Sequence, residues 1–428
     1  MPANLVSLLG AVVLLGLAWA VSHDRRHFPW RTAFWGLGLQ FAFALLLLRT
    51  PWGQAAFGTA RVVVIRLLSF TDAGTHFLWG NLFRGSAELA ESAGPGAIAG
   101  YVQVVDSATG DLVPLGTVFV IHVLPVIIFF SSLMALLYHL GVMQWLIRGM
   151  AWVMQRTMGT SGTESLSAAA NVFVGQTEAP LVVRPYFATM TASELMAVMT
   201  GGFATVAGSV MAVYVRFGVD AGHLLAASVM SAPAALVIAK IMLPEREVSP
   251  TRGEVKVEVK SEYANVLDAA AGGAAVGLRL AANVGAMLLA FIALVALFNF
   301  LLGLVGLSLQ QIFGWVFAPL AVVMGVPWSE APAFGNLLGT KIAVNELVAY
   351  LELMAASESG ALSERSLVIG TYALCGFANF SSIAIQIGGI GSLAPERRRD
   401  VARLGLRAMF GGALASWLTA TVAGALLL

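Results

Sequence analysis

Charge is scarce in this chain. Only 11% of its 428 residues are Asp, Glu, Lys or Arg, against about 25% in soluble domains. With 58% hydrophobic residues and a mean hydropathy of +0.84, an ordinary water-soluble fold is excluded. Net charge is +1, so no basic field invites nucleic acid. The single cysteine, Cys375, excludes an internal disulfide and says little about compartment. Histidine is sparse too. His23, His27, His76, His122, His139 and His223 are scattered. Only the first two have helical ligand spacing, and no third ligand stands near them. The apolar segments contain no Asp-rich metal motif, no His-x-x-x-His pair and no nucleophile elbow, so a membrane-embedded enzyme lacks its parts. No continuous polar stripe runs through them either, which argues against a channel.

What the chain does have is long apolar runs. Segments near the length of about 20 residues needed to cross a bilayer run from Leu5 to Val21, Trp35 to Leu48, Val118 to Leu140, Leu195 to Val215, Leu224 to Met242, Ala282 to Val305, Leu367 to Ile390 and Leu404 to Leu428. Two further stretches, Val142 to Phe187 and Ile312 to Leu353, are too long for one crossing and are broken by Gly, Pro, Asn and Glu. Each is expected to form a re-entrant hairpin. Arg61 to Phe83 and Tyr263 to Leu280 mix charge with apolar residues and are expected to lie at the interface as amphipathic helices. The fold expected is therefore an all-α polytopic membrane protein. It has eight transmembrane helices, two re-entrant helical hairpins and two interfacial helices.

The order of elements repeats. Residues 1–60 hold the first two helices. Residues 61–243 give interfacial helix, span, hairpin, broken span, span. Residues 244–262 form a polar cytoplasmic linker, whose Glu254 to Lys260 alternates as a short strand or a solvated tether would. Residues 263–428 repeat the five-part order from the opposite side, an inverted repeat with two broken helices. Orientation follows from charge. No basic residue precedes the run from Leu5 to Val21, whereas Arg25, Arg26 and Arg31 follow it. That order argues against a cleaved signal peptide and puts the N-terminus outside; most of the 24 Lys and Arg residues then fall on the cytoplasmic side. Both termini are expected in the periplasm of a bacterial inner membrane.

Polarity is concentrated at four places. The two breaks are Gly202-Phe203-Ala204-Thr205-Val206-Ala207-Gly208-Ser209 and Gly376-Phe377-Ala378-Asn379-Phe380-Ser381-Ser382. Lipid does not tolerate unpaired polar groups, so these must face protein, water or ligand. The first hairpin holds Gln176, Thr177 and Glu178: an amide, a hydroxyl and a carboxylate. Such a set can read the edge of a polar heterocycle, or it can cap the hairpin's helix ends. The second holds Lys341 and Glu346. A carboxylate there can accept from vicinal hydroxyls, as a sugar presents them, or pair with the lysine at a spacing of five. Asn379, Ser381 and Ser382 add neutral donors and acceptors, and Phe377 a face for stacking. Asn171 and Thr205, with the carbonyls of Val174 and Val206 at the breaks, supply oxygens for a dehydrated Na⁺.

The motifs GQTEAP (Gly175 to Pro180), NELVAY (Asn345 to Tyr350) and GFANFSSIAI (Gly376 to Ile385) resemble those of the concentrative nucleoside transporter family, over nearly the whole chain and in the eight-span bacterial form. The resemblance implies import of nucleosides (uridine-, cytidine- or adenosine-like) by symport with Na⁺, or with H⁺ in some bacterial members. It also implies a homotrimer and an elevator-like motion of a transport domain against a scaffold. Gln176, Thr177, Glu178, Val210 and Phe377 would meet the base, and Glu346, Asn379 and Ser382 the ribose. Asn171, Val174, Thr205 and Val206 would bind Na⁺. Position 205 is Thr where some relatives carry Ser, which keeps the hydroxyl.

Overall fold

A computed structural model describes residues 2–84, 118–249, 251 and 263–427. The linker's residues 250 and 252–262, including the alternating Glu254 to Lys260, lie outside the described residues. Helices account for nearly all regular structure. In chain order they are α1 (Ala3–Ala20), α2 (Trp30–Arg49), α3 (Pro51–Trp79), α4 (Phe119–His139), α5 (Val142–Met158) and α6 (Gly162–Asn171). Next come a 3-10 segment at Ala179–Tyr186, then α7 (Ala192–Ala204), α8 (Gly208–Arg216) and α9 (Ala221–Met242). The second half holds α10 (Val266–Gly303), α11 (Leu309–Val323), α12 (Ala331–Ala343), α13 (Glu346–Glu358), α14 (Glu364–Leu374), α15 (Phe380–Leu393) and α16 (Arg398–Leu426).

Seven segments are long and apolar enough to cross a membrane, counting α7 and α8 together. The expected eighth, from Leu367 to Ile390, is divided. α14 ends at Leu374, and α15 starts only at Phe380, capped by Asn379 Oδ1 accepting from Ser382 N at 2.9 Å. Neither piece alone is long enough to cross. The helix expected from Tyr263 to Leu280 also differs from expectation. It runs without interruption into the following span, as the 38-residue α10. No proline interrupts it, and its glycines serve close packing instead. A Cβ on Gly277 would lie 2.8 Å from Ile128 Cα of α4.

The two long stretches resolve into more than a hairpin. From Val142 to Phe187, α5 is an amphipathic helix of its own. Only α6, a turn at 172–178 and the 3-10 segment fold back on themselves. Ser161 and Glu164 make a capping box that starts α6 afresh. From Ile312 to Leu353, α11 is likewise a separate helix, packed along α12, and α12 and α13 form the hairpin, turning at Val344. The order helix, hairpin, broken helix, long helix thus occurs twice: α5 to α9 and α11 to α16.

Burial separates two populations. The crossing windows of α9, α16 and the α7/α8 pair are more than four-fifths buried, while that of α10 is 6% buried. α16 packs against α1, α7, α9 and α14 through small residues, the device that lets membrane helices approach closely. The two breaks meet at Gly376, whose φ is +122°. A Cβ there would lie 2.6 Å from the carbonyl oxygen of Phe203. Glycine is required on both counts.

Candidate functional site

Both hairpin turns end against the breaks. The first is tied to its break by Gly208 N donating to Phe173 O at 3.0 Å. The second is tied by side chains. Asn345 caps α13 by accepting from Val348 N at 2.9 Å, which aims the first-turn Glu346 inward. There Glu346 is 5% exposed, and its oxygens take separate donors. Tyr214 Oη of α8 donates to Oε1 at 3.1 Å, and Asn379 Nδ2 donates to Oε2 at 2.9 Å. Asn379 therefore works twice, capping α15 with its oxygen and holding the carboxylate with its nitrogen.

The chain of contacts continues to the first hairpin. Gln176 Nε2 donates to Ser382 Oγ at 3.1 Å. Gln386, one turn further along α15, donates to Gln176 Oε1 at 3.2 Å and to Met199 O at 3.0 Å. Gln176, Ser382, Asn379 and Glu346, four of the eight expected substrate residues, thus form one buried polar row. It spans both hairpins and the second break.

The other four stand beside this row rather than in it. Val210 is buried one turn before Tyr214 on α8, and Phe377 is half-buried at the second break. Thr177 and Glu178 are accessible. Thr177 faces Gly389 of α15. Glu178 follows the turn at Gly175, whose carbonyl accepts from its backbone N–H at 3.0 Å. Glu178 stands at the N-cap position of the 3-10 segment but makes no side-chain cap bond to it.

Tyr214 and Gln386 were not among the residues picked out from the sequence. Each follows an expected neighbour by four positions on a helix, Tyr214 after Val210 and Gln386 after Ser382, and so shares its face. Lys341 is also placed differently. It makes no ion pair with Glu346; its Nζ donates to Ala373 O at 2.8 Å and Cys375 O at 3.4 Å.

At the first break, Asn171 is fully buried, with Nδ2 donating to Ser167 O at 2.9 Å. Its Oδ1 is buried with no hydrogen-bond partner. Thr205 Oγ1 donates to Gly201 O at 2.9 Å, leaving its lone pairs free, and a Cβ on Gly201 would touch Asn171 Nδ2 at 3.3 Å. Thr205, Val174 and Val206 are buried, and no hydrogen bond of the described residues uses the carbonyl of Val174 or Val206. A buried acceptor without a donor is costly, and a cation removes that cost. This donor set, all neutral oxygen, suits Na⁺.

Sequence models of one family match three consecutive parts of the chain. "Na+ dependent nucleoside transporter N-terminus" matches residues 9–82, "Nucleoside recognition" residues 120–221, and "Na+ dependent nucleoside transporter C-terminus" residues 223–424. The chain belongs to the Na⁺-dependent nucleoside transporter family. It is a multi-pass membrane protein of a transporter family, not an enzyme. An uncharacterized transporter of Haemophilus influenzae is 46% identical over 98% of this chain and 97% of its own length. Sodium/nucleoside cotransporter 1 of Rattus norvegicus is 44% identical over 99% of this chain, which spans 64% of that longer protein. The solved structure of CNTnw in an inward-facing substrate-bound state superposes with a TM-score of 0.88 at 45% identity, covering 99% of this chain and 97% of that one. Variants of CNTnw solved in outward-facing and intermediate states match comparably.

Proposed function

We propose that this protein imports nucleosides across a bacterial inner membrane by symport with Na⁺. The observation that carries the reading is the buried row from Gln176 through Ser382 and Asn379 to Glu346. It joins an amide suited to a heterocyclic edge to a carboxylate suited to vicinal hydroxyls. In this reading Gln176, Thr177 and Glu178 contact the base, with Val210 and Phe377 packing on it. Glu346, Asn379 and Ser382 hold the ribose. Asn171 Oδ1, Thr205 Oγ1 and the carbonyls of Val174 and Val206 hold Na⁺. The unpartnered Asn171 oxygen supports that assignment.

Na⁺ binding orders the first hairpin against the first break. That fixes Gln176 at the mouth of the base site, and nucleoside then completes the site through the second hairpin. Each ligand favours the arrangement the other needs, so the two couple. Residues 1–60, the repeats 61–243 and 263–428 and the linker 244–262 are the units of this reading. The two repeats are inverted, each with a re-entrant hairpin. The well-buried α7, α8, α9, α14 and α16, together with α15 and both hairpins, move as one body, elevator-like, against a scaffold of α4 and α10. The exposed apolar length of α10 supports a homotrimer assembled on that scaffold, with lipid covering the rest. Both termini face the periplasm.

The deciding experiment is uptake of labelled uridine into proteoliposomes under an inward Na⁺ gradient and, separately, an inward proton gradient. Accumulation that requires Na⁺ is the expected result. Accumulation driven only by protons overturns the ion assignment. No accumulation of uridine, cytidine or adenosine under either gradient, with folded protein, overturns the substrate class in favour of another small polar solute.

A further inference from the structure

The two halves of the site solve the same electrostatic problem in different ways. In each, a hairpin turn packs against the place where a helix stops, and a stopped helix leaves carbonyl oxygens without donors. In the first half the region between Asn171 and the end of α7 keeps a buried oxygen unmatched, Asn171 Oδ1. In the second half the equivalent region is filled. Lys341, on the first arm of the hairpin, is 0% exposed, and its ammonium donates to Ala373 O and Cys375 O around the end of α14. No carboxylate lies within ion-pair distance of it among the described residues, although Glu346 is within electrostatic range. A buried lysine that forgoes a carboxylate and spends its donors on helix-end carbonyls is doing there what a bound metal cation does.

We propose that Lys341 is a tethered cation that takes, in the second hairpin, the part Na⁺ takes in the first. It pins the second hairpin to α14 at all times. The first hairpin has only the backbone bond from Gly208 N to Phe173 O at its break, and its hold on the end of α7 is completed when an ion arrives from solution. The asymmetry makes one half of the substrate site standing and the other conditional, so that nucleoside affinity is gated through Gln176 and not through Glu346. The inference rests on the Na⁺ reading above and adds a residue to it: Lys341 positions Glu346 and Asn379 without touching substrate.

The test removes the ammonium and offers a free one. Uridine binding is measured by calorimetry on Lys341→Ala and on the uncharged, space-filling Lys341→Met. Both are purified, checked for an undisturbed oligomeric state, and titrated with Na⁺ and with methylammonium. Expected for Lys341→Ala is a loss of uridine affinity of at least about tenfold at the wild-type working Na⁺ concentration. Methylammonium or excess Na⁺ should restore it, with a Na⁺ dependence steeper than wild type because two sites now need filling. Lys341→Met should lose affinity without rescue. Wild-type affinity in both variants would overturn the proposal, and so would loss in both that no cation repairs. Wild-type protein that binds uridine with no Na⁺ dependence would instead sink the Na⁺ reading itself, a result visible before either variant is made.

Discussion

Tyr214 donates a hydrogen bond from its hydroxyl to Glu346 at 3.1 Å, from a helix 132 residues away in sequence, while Asn379 serves the other carboxylate oxygen. Glu346 is thus held in place by both halves of the chain before any substrate arrives. Glu346→Gln removes the charge and turns one acceptor into a donor facing Tyr214 or Asn379. Charge-assisted hydrogen bonds contribute about 1.5–3 kcal/mol each, so ribonucleoside affinity should fall roughly tenfold to a hundredfold. Binding of free bases should change far less. A parallel loss for uracil and uridine would place Glu346 outside the ribose contact.

Tyr214→Phe asks a narrower question. It leaves the carboxylate in place with one donor fewer. A single such bond contributes about 1.5–3 kcal/mol, but substrate hydroxyls can take over the vacated oxygen and offset part of that loss. The expected outcome is a modest loss of uridine affinity, roughly fivefold, with unaltered Na⁺ dependence. A shift of the Na⁺ concentration for half-maximal uptake would mean that Tyr214 also acts on the first half of the site.

At the first break the expectation is the reverse. Asn171→Ala removes the unpartnered oxygen, and Thr205→Ala removes the hydroxyl beside it. Nucleoside binding should weaken most at low Na⁺ and recover toward wild type at high Na⁺, because mass action restores ion occupancy. Equal weakening at every Na⁺ concentration would show that these side chains hold the fold and not the ion.

Much of this was legible beforehand, for reasons that can be named. Apolar runs mark crossings because bilayer thickness fixes their length. Glu346 and Asn379 stand out because a polar group in an apolar run needs a reason. The row joining them to Gln176 was not legible. It links positions 206 residues apart, and no local pattern encodes that. Tyr214 hides because a tyrosine in an apolar helix reads as packing. The partner of Lys341 was not legible: a spacing of five is a poor helical match to Glu346, and the chain turns at Val344 between them and sends the ammonium to α14. α5 and α11 merge into their hairpins when each long stretch is read as a single unit. The signals that divide them are local: the capping box Ser161-x-x-Glu164 starts α6, and Pro332 in the first turn starts α12.

Away from the site, Lys240 offers a check on the packing of the first half. Its ammonium, 6% exposed, pairs with Glu164 of the α6 capping box and, at 3.2 Å, with Glu245 beyond α9. It also donates to Ser193 Oγ at 2.8 Å. One buried cation thus ties the starts of α6 and α7 to the end of α9. Removing one member of a buried pair strands the other and typically costs about 3–5 kcal/mol. Lys240→Met should therefore lower the thermal midpoint in detergent by several degrees. The double variant with Glu164→Gln should recover part of that loss, because the stranded charge is gone. Full additivity of the two single losses would mean that the ion pair does not hold these helix ends together.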